Sequence, residues 1–102
     1  MKIIPIRETG SGREGTLDNI SYAEIVEKIG KPNVTDMDDP DKVKASWGFK
    51  VGKKKGFIWC YKHYGALKNC KTWSTDGDES LLKEIFGDKY LTDAEYSKKL
   101  FG

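Results

Sequence analysis

Residues 43–64 read VKASWGFKVGKKKGFIWCYKHY, and this stretch predicts a β-hairpin. Its first half alternates apolar and polar residues, the pattern of a half-buried strand that places Val43 and Trp47 on the same face. The glycines and lysines at 52–56 predict a hairpin loop, and 57–64 predicts the return strand. Large side chains lie on both faces of that second strand. We therefore expect it to be central, with one face in the core and the other half-exposed.

The rest of the chain adds elements around this hairpin. Residues 71–74 predict a third antiparallel strand, and residues 2–7 predict a short edge strand. Capping boxes that begin at Ser21 and Thr92, together with an apolar stripe over 78–86, predict three helices. The order of these elements predicts an α+β fold: a small single domain with a three- to four-stranded antiparallel sheet and helices packed on one face.

Length and composition narrow the class of protein. The chain has 102 residues, which predicts one domain over residues 1–102. No apolar run approaches the roughly 20 residues of a membrane span, so we expect a soluble, cytoplasmic protein that does not bind membranes. The apolar content of 37% is low, and assembly into a homo-oligomer is expected because it would bury more apolar surface. Cys60 and Cys70 are expected to be thiols.

Charge is unevenly distributed along the chain. Residues 42–75 contain nine lysines, no acidic residue and all three tryptophans. Residues 1–41 carry five basic against nine acidic residues, and residues 76–102 carry four against seven. A basic segment interleaved with aromatic residues suits an anionic ligand with flat π faces, because lysines attract phosphates and aromatic rings stack on bases. The alternative is that the aromatics form the core and the lysines form a solvated face that protects sheet edges.

Nine residues are candidate ligand contacts. The aromatic rings among them would stack on bases, and the cations would bind phosphates. The nine residues are Arg7, Arg13, Trp47, Lys50, Trp59, Tyr61, Lys62, Trp73 and Ser74. The two arginines would act as lid contacts because Arg7 precedes and Arg13 belongs to the glycine-rich segment Thr9–Gly15, which is either a lid or a linker. Trp47 shares a strand face with other apolar residues, which favours a core position. We therefore rank it below Tyr61, Lys62 and Trp73.

The sequence gives little support for metal binding or catalysis. Cys60, His63 and Cys70 supply three soft ligands, whereas a structural zinc site needs four. The acidic segment 36–41 lacks the glycine and glutamate of a calcium-binding EF-hand loop. His63 is the single histidine, it has no acidic neighbour in sequence, and it lies on the opposite strand face from Cys60. We therefore expect no cofactor and no enzymatic activity.

Several short motifs follow one another in the order of a known group of small phage proteins. They read ISYAEIV at 20–26, GKPN at 30–33, DDPDKVKASWGF at 38–49, IWCYK at 58–62 and WS at 73–74. Over about residues 20–87 the chain resembles this widespread family, in which a capped helix ends in a Gly-Xaa-Pro turn before strands of this kind. The family is similar to phage anti-defence proteins. Some of its members act as oligomeric sponges for cyclic nucleotide signals of bacterial immune systems such as CBASS.

The resemblance implies a function in immune evasion. The protein would bind and sequester a cyclic di- or trinucleotide without cleaving it, as a homo-oligomer in the cytoplasm of an infected bacterium. Two alternatives stay open. The first is an inhibitor that binds a host defence protein, such as a CRISPR nuclease, directly. The second is a nucleic-acid-binding phage accessory protein, in which the lysines at 53–55 would contact phosphates.

Overall fold

The computed structural model describes residues 2–8, 10, 12–34, 43–61 and 65–102, with only the backbone of Val43, Lys44 and Tyr61. Its helices and strands, in chain order, are β1 (Ile4–Pro5), β2 (Gly15–Asp18), α1 (Tyr22–Ile29), β3 (Val43–Val51), β4 (Lys54–Tyr61), β5 (Thr72–Gly77), α2 (Glu79–Phe86), β6 (Tyr90–Thr92) and α3 (Asp93–Phe101). Short 3-10 turns occur at Leu67–Asn69 and Gly87–Lys89. The described residues thus form the predicted α+β fold, with an antiparallel sheet and three helices.

The sheet has more strands than the sequence predicts. Its order is β1-β3-β4-β5-β2-β6, and every neighbouring pair is antiparallel. The prediction of three to four strands is wrong, because the described residues contain six. The unforeseen strands are β2 and β6, which have four and three residues. Strands of that length are too short to show a readable alternation of apolar and polar residues.

The predicted hairpin is formed by β3 and β4, but its loop is shorter than expected. Val51 pairs with Lys54, so only Gly52 and Lys53 connect the strands, and the loop predicted over 52–56 is too long. Gly52 has a φ of 61°. A positive φ at this position suits a two-residue hairpin turn, where glycine adopts the left-handed conformation without strain.

The helices begin where their capping residues predict. The Ser21 hydroxyl accepts a hydrogen bond from the Glu24 backbone N–H, and the Glu24 carboxylate accepts one from the Ser21 backbone N–H. Thr92 and Glu95 form the same reciprocal pair at the start of α3. The Asp78 carboxylate caps α2. Within the described part of the chain, none of the helices is long and apolar enough to cross a membrane.

The hydrophobic core lies on the sheet face that α1 and α2 cover. Its buried residues come from five strands, both helices and the segments beside them. They are Leu17, Ile20, Ile25, Ala45, Trp47, Phe49, Ile58, Cys60, Cys70, Trp73, Leu81, Leu82, Phe86 and Tyr90.

Two tryptophans at the centre of this core hold helix α1. The rings of Trp47 and Trp73 meet edge to face, with centroids 5.5 Å apart. The Trp47 Nε1–H donates to the carbonyl oxygen of Gly30 (2.8 Å), and the Trp73 Nε1–H donates to that of Ile20 (2.9 Å). Ile20 precedes α1 and Gly30 follows it, so the two indoles bind both ends of the helix. With exposures of 1% and 0%, neither ring offers a face to a ligand, and we correct their expected base-stacking role to a core role.

Helix α3 is attached differently, since none of its residues is buried. Three ion pairs connect α3 to other parts of the chain: Lys99–Asp18, Lys83–Glu95 at 3.7 Å and Arg13–Asp93 at 3.6 Å. Asp18 follows the core residue Leu17 in β2 and therefore lies on the other sheet face. Helix α3 thus reaches the opposite face at Asp18 and contacts α2 at Lys83. The expectation of helices packed on one face fits α1 and α2 and fits α3 only in part. Leu100 and Phe101 at the end of α3 are 56% and 86% exposed.

Trp73→Phe is expected to lower the free energy of unfolding by about 2–4 kcal/mol, because it removes the donor to a buried carbonyl and leaves a cavity beside Trp47. Urea unfolding followed by far-UV circular dichroism measures this loss. The matched control is Trp59→Phe, the same change at a half-buried ring, for which we expect a loss below about 1 kcal/mol. Equal losses in the two variants would contradict the core assignment of Trp73.

The ion pair between Lys99 and Asp18 predicts a pH-dependent contribution to stability. The hydrogen bond from Lys99 is the main reason why the pKa of Asp18 lies below its ordinary value. A carboxylate with a lower pKa in the folded chain stabilises the fold above its unfolded-state pKa of about 3.9, and the stabilisation is lost as pH falls through the folded-state value. Asp18→Asn should therefore be less stable than the wild type near neutral pH and equally stable at about pH 2.

The measurement is urea unfolding of both proteins at the two pH values. We expect a small difference at neutral pH, because the Lys99 side chain is 57% exposed and solvent screens the pair. A difference that persisted unchanged in acid would show that Asp18 does not act through its charge.

Candidate ligand-binding surface

Four residues form a row across the sheet face opposite the core. The strand register pairs Trp59 of β4 with Ser46 of β3 and with Ser74 of β5, and it pairs Ser74 with Thr16 of β2. We call Ser46, Trp59, Ser74 and Thr16 the Trp59 row. Ser46 and Thr16 are buried, whereas Trp59 and Ser74 are half-buried. The accessible centre of the row combines an aromatic ring with a hydroxyl, which can stack on a base and form a hydrogen bond beside it.

The segment between β1 and β2 crosses this face as a strap. We define the strap by its described residues, 6–8, 10 and 12–14. At one end the Ile6 N–H donates to the carbonyl oxygen of Gly48 (2.9 Å), and at the other the Glu14 N–H donates to that of Thr75 (2.9 Å). Gly48 belongs to β3 and Thr75 to β5, so the strap passes over the intervening strand β4, in which Trp59 lies.

Two glycines let the strap lie close against the sheet. A Cβ atom at Gly10 would lie 2.9 Å from Cζ3 of the Trp59 indole and 3.0 Å from Cβ of Asp76. A Cβ atom at Gly48 would lie 2.6 Å from the carbonyl oxygen of Glu8. Because side chains do not approach one another or the backbone so closely, a larger residue at either position would push the strap away. In its described residues, the glycine-rich segment is thus packed on the sheet beside Trp59.

The predicted lid contacts, Arg7 and Arg13, lie near the two ends of the strap. Arg7 follows β1 and Arg13 precedes β2, and three strands separate β1 from β2 in the sheet. At roughly 4.8 Å per strand, these ends are on the order of 19 Å apart, so the arginines flank the Trp59 row from opposite sides. Nε of Arg13 lies 3.6 Å from the Asp93 carboxylate, which already offsets part of its charge.

Two lysines of the hairpin turn region bind described partners. The Lys55 ammonium donates to both carboxylate oxygens of Glu8 in the strap, at 3.0 and 2.9 Å. The Lys54 ammonium donates to Oγ of Ser80 at 2.9 Å. Lys50, a predicted phosphate contact, is half-buried and pairs with Lys55 across the strands. Glu8 therefore reduces the repulsion between two neighbouring like charges.

A buried carboxylate on this face restricts where an anion can bind. Asp76 is 8% exposed, accepts a hydrogen bond from the Gly77 N–H at 2.8 Å, and lies against the strap near Trp59. Its negative charge opposes phosphate on the strap side of the ring. Toward the start of β5, the Thr72 hydroxyl donates to the Asp18 carboxylate at 3.1 Å. Acidic groups therefore lie beside Trp59 in both directions along β5, and phosphate contacts are left to the arginines that flank the row.

Some predicted site residues lie outside the described residues. Lys62 and His63 belong to this group, as does the acidic segment 36–41, and the Tyr61 side chain is not described. The backbone of Tyr61 ends β4 two residues beyond Trp59. The roles assigned to Tyr61 and Lys62 stay predictions. Across 2–8, 10, 12–34, 43–61 and 65–102, no group of three or more His, Cys, Asp or Glu residues is placed to hold a metal ion.

Comparisons of the chain with protein-family models, with curated proteins and with solved structures find no match. The resemblance to phage anti-defence proteins therefore stays a hypothesis.

Sequence reasoning missed the close contacts that Gly10 and Gly48 make between strap and sheet. One signal for them was present, because Gly48 interrupts strand β3 between two aromatic residues, and a glycine inside a strand often marks the close approach of another backbone. Gly10 carried no comparable signal, since the neighbouring Gly12 and Gly15 made the whole segment read as a flexible loop.

Gly10→Ala is expected to lift the strap from Trp59 and expose its ring to acrylamide, a neutral quencher of indole fluorescence. Trp47 and Trp73 are buried, so a rise in the Stern–Volmer quenching constant would report on Trp59. The matched control is Gly12→Ala, because a Cβ atom at Gly12 would meet nothing within 4 Å. If both variants were quenched to the same extent, the strap would not be packed on Trp59 through Gly10.

Proposed function

We propose that this protein binds a cyclic di- or trinucleotide at the Trp59 row and sequesters it without cleaving it. In the setting that the resemblance implies, the ligand is an immune signal in the cytoplasm of an infected bacterium, and the protein lowers its free concentration. The observation that carries the proposal is the position of Trp59. Its ring is partly accessible on the sheet face away from the core, whereas Trp47 and Trp73 are buried.

Stacking alone would not make an effective trap. One base stacked on an aromatic ring contributes about 1–3 kcal/mol, whereas a dissociation constant of 1 μM corresponds to about 8 kcal/mol. Hydrogen bonds to charged groups contribute about 1.5–3 kcal/mol each. A working site therefore needs two or three such phosphate contacts besides Trp59. The flanking Arg7 and Arg13 are the described cations that we assign to this role.

The lysine contacts favour a small ligand over a nucleic acid. Nucleic-acid binding through the hairpin turn would require its lysines to contact phosphates. Lys55 instead binds Glu8, and Lys54 contacts Ser80. A phosphate backbone would have to displace these partners, so we expect the hairpin turn to bind DNA weakly.

A second candidate function is direct binding to a host defence protein, as in the inhibitor alternative. It is favoured by the apolar end of α3, where Leu100 and Phe101 are 56% and 86% exposed. Large exposed apolar residues at the centre of a contact are typical of protein interfaces. The same end of α3 would also serve contacts between copies of this chain, in the homo-oligomer that we propose.

A thermal-shift screen with cyclic di- and trinucleotides separates these functions. We expect one cyclic nucleotide to raise the melting temperature by several degrees, because a ligand that binds only the folded state stabilises it. A short DNA duplex is the control and should give no shift. No shift with any cyclic nucleotide would favour the protein-partner function, and a shift with DNA alone would favour nucleic-acid binding.

Trp59→Ala is expected to weaken binding of the active cyclic nucleotide by about 5- to 150-fold, the equivalent of one lost base stack. Isothermal titration calorimetry measures the change. Trp59→Phe should recover part of the affinity because it retains an aromatic face. Lys53→Ala in the hairpin turn is the matched control and should bind like the wild type. Unchanged affinity in Trp59→Ala would move the site away from the Trp59 row.

A further inference from the structure

The side chains of Cys60, near the end of β4, and Cys70, just before β5, meet in the core. The Sγ atoms of Cys60 and Cys70 lie 3.6 Å apart, and both residues are thiols outside any disulfide, with exposures of 0% and 4%. The Cys70 thiol also points to the carbonyl oxygen of Thr72 (3.2 Å). This contact is independent of the Trp59 row, which lies on the opposite face of the sheet.

The fold brings the two cysteines together through strand pairing and a tight turn. Trp59 pairs with Ser74, so the end of β4 lies against the start of β5. The 3-10 turn Leu67–Asn69 reverses the chain just before Cys70, whose N–H donates to the Leu67 carbonyl oxygen at 3.0 Å. The spacing of the cysteines in the sequence does not predict this contact.

We infer that Cys60 and Cys70 are a dithiol site that a small disulfide, such as oxidised glutathione, converts reversibly into an intramolecular disulfide. The sulfur atoms need to approach by only about 1.5 Å to reach the bond length of a disulfide. Both thiols belong to one packed core cluster, so the folded chain holds them close together. In the unfolded chain they meet only when the intervening residues close a loop.

The reaction is an exchange that balances without a further reactant. The Cys70 thiolate attacks one sulfur of oxidised glutathione, breaks its S–S bond and releases one glutathione. The Cys60 thiolate then displaces the second glutathione from Cys70, and the Cys60–Cys70 bond forms. The two protein sulfurs give up two electrons to the glutathione sulfurs, and the two thiol protons end on the released glutathione molecules. Cys70 reacts first because it retains slight exposure whereas Cys60 has none.

The disulfide would fasten the end of β4 to the start of β5. It would close a loop over residues 60–70, which includes the predicted ligand contacts Tyr61 and Lys62. Loop closure of this length constrains the unfolded chain, and we expect the oxidised protein to melt roughly 10 °C or more above the reduced protein. Folding and disulfide formation are linked in one thermodynamic cycle. The equilibrium constant for forming the disulfide should therefore be roughly 30- to 100-fold larger in the folded chain than in the unfolded chain.

The test is a titration of the 102-residue chain in glutathione redox buffers, in native conditions and in urea. Free thiols are trapped by alkylation and the products are weighed by mass spectrometry. We expect the native chain to lose two hydrogen atoms at a glutathione ratio where the urea-unfolded chain is still reduced. Digestion after lysine should then yield peptide 56–62 linked to peptide 69–71.

Variants separate an intramolecular disulfide from simple thiol modification. Cys70→Ala and Cys60→Ala should each show at most a mixed disulfide with glutathione and no rise in melting temperature on oxidation. The wild-type titration needs neither variant, so it remains decisive if they fail to fold. Equal oxidation of the native and unfolded chains, or only glutathione adducts and disulfide-linked dimers in the native chain, would overturn the inference.

Discussion

The hydrogen bonds from two indole N–H groups to the backbone at both ends of α1 determine how this sheet is covered. Trp47 lies on β3 and Trp73 on β5, so the helix is held across the two strands that flank β4. Each indole buries a large apolar area, yet its N–H requires an acceptor when it leaves water. The carbonyl groups of Ile20 and Gly30 satisfy that requirement, because their residues lie just outside the helix. Moving the helix would take both acceptors away from these two buried donors.

This arrangement assigns different roles to the two sheet faces. The core face uses Trp47 and Trp73 for packing, so the face opposite remains for the strap and for Trp59. A strap of backbone brings its own N–H and C=O groups onto the sheet, and these must find partners. The Ile6 and Glu14 N–H groups find theirs in strands β3 and β5. Between those anchors the strap depends on glycine, because Gly10 and Gly48 leave room where a methyl group would collide.

The sequence predicts the parts of the fold whose pattern is local. The hairpin follows from alternation over 43–51, and the starts of α1 and α3 follow from capping boxes that both form. Strand β2 was not predicted because its stability comes from β5 and β6, which are distant in sequence. Trp47 was correctly favoured as a core residue because it lies in a long alternating strand. Trp73 was ranked as a ligand contact because 71–74 is too short for alternation to assign its face. Of the candidate site, only the central residues Trp59 and Ser74 could be predicted. The strap contacts could not, because they depend on packing between segments that are distant in sequence.

The fold shows which of the unevenly distributed charges pair with one another. Several acids of the flanks pair with cations of the flanks, as Lys99–Asp18, Lys83–Glu95 and Arg13–Asp93 show. Glu8 is the described exception, because it reaches Lys55 in the basic segment. Pairs of this kind are exposed, and each stabilises the fold only weakly. The flanks carry 16 acidic against nine basic residues, so even complete pairing within them leaves an excess of seven negative charges. This excess offsets most of the nine lysines of 42–75 at long range, so the segment attracts an anion only where its lysines act locally, within about 10 Å.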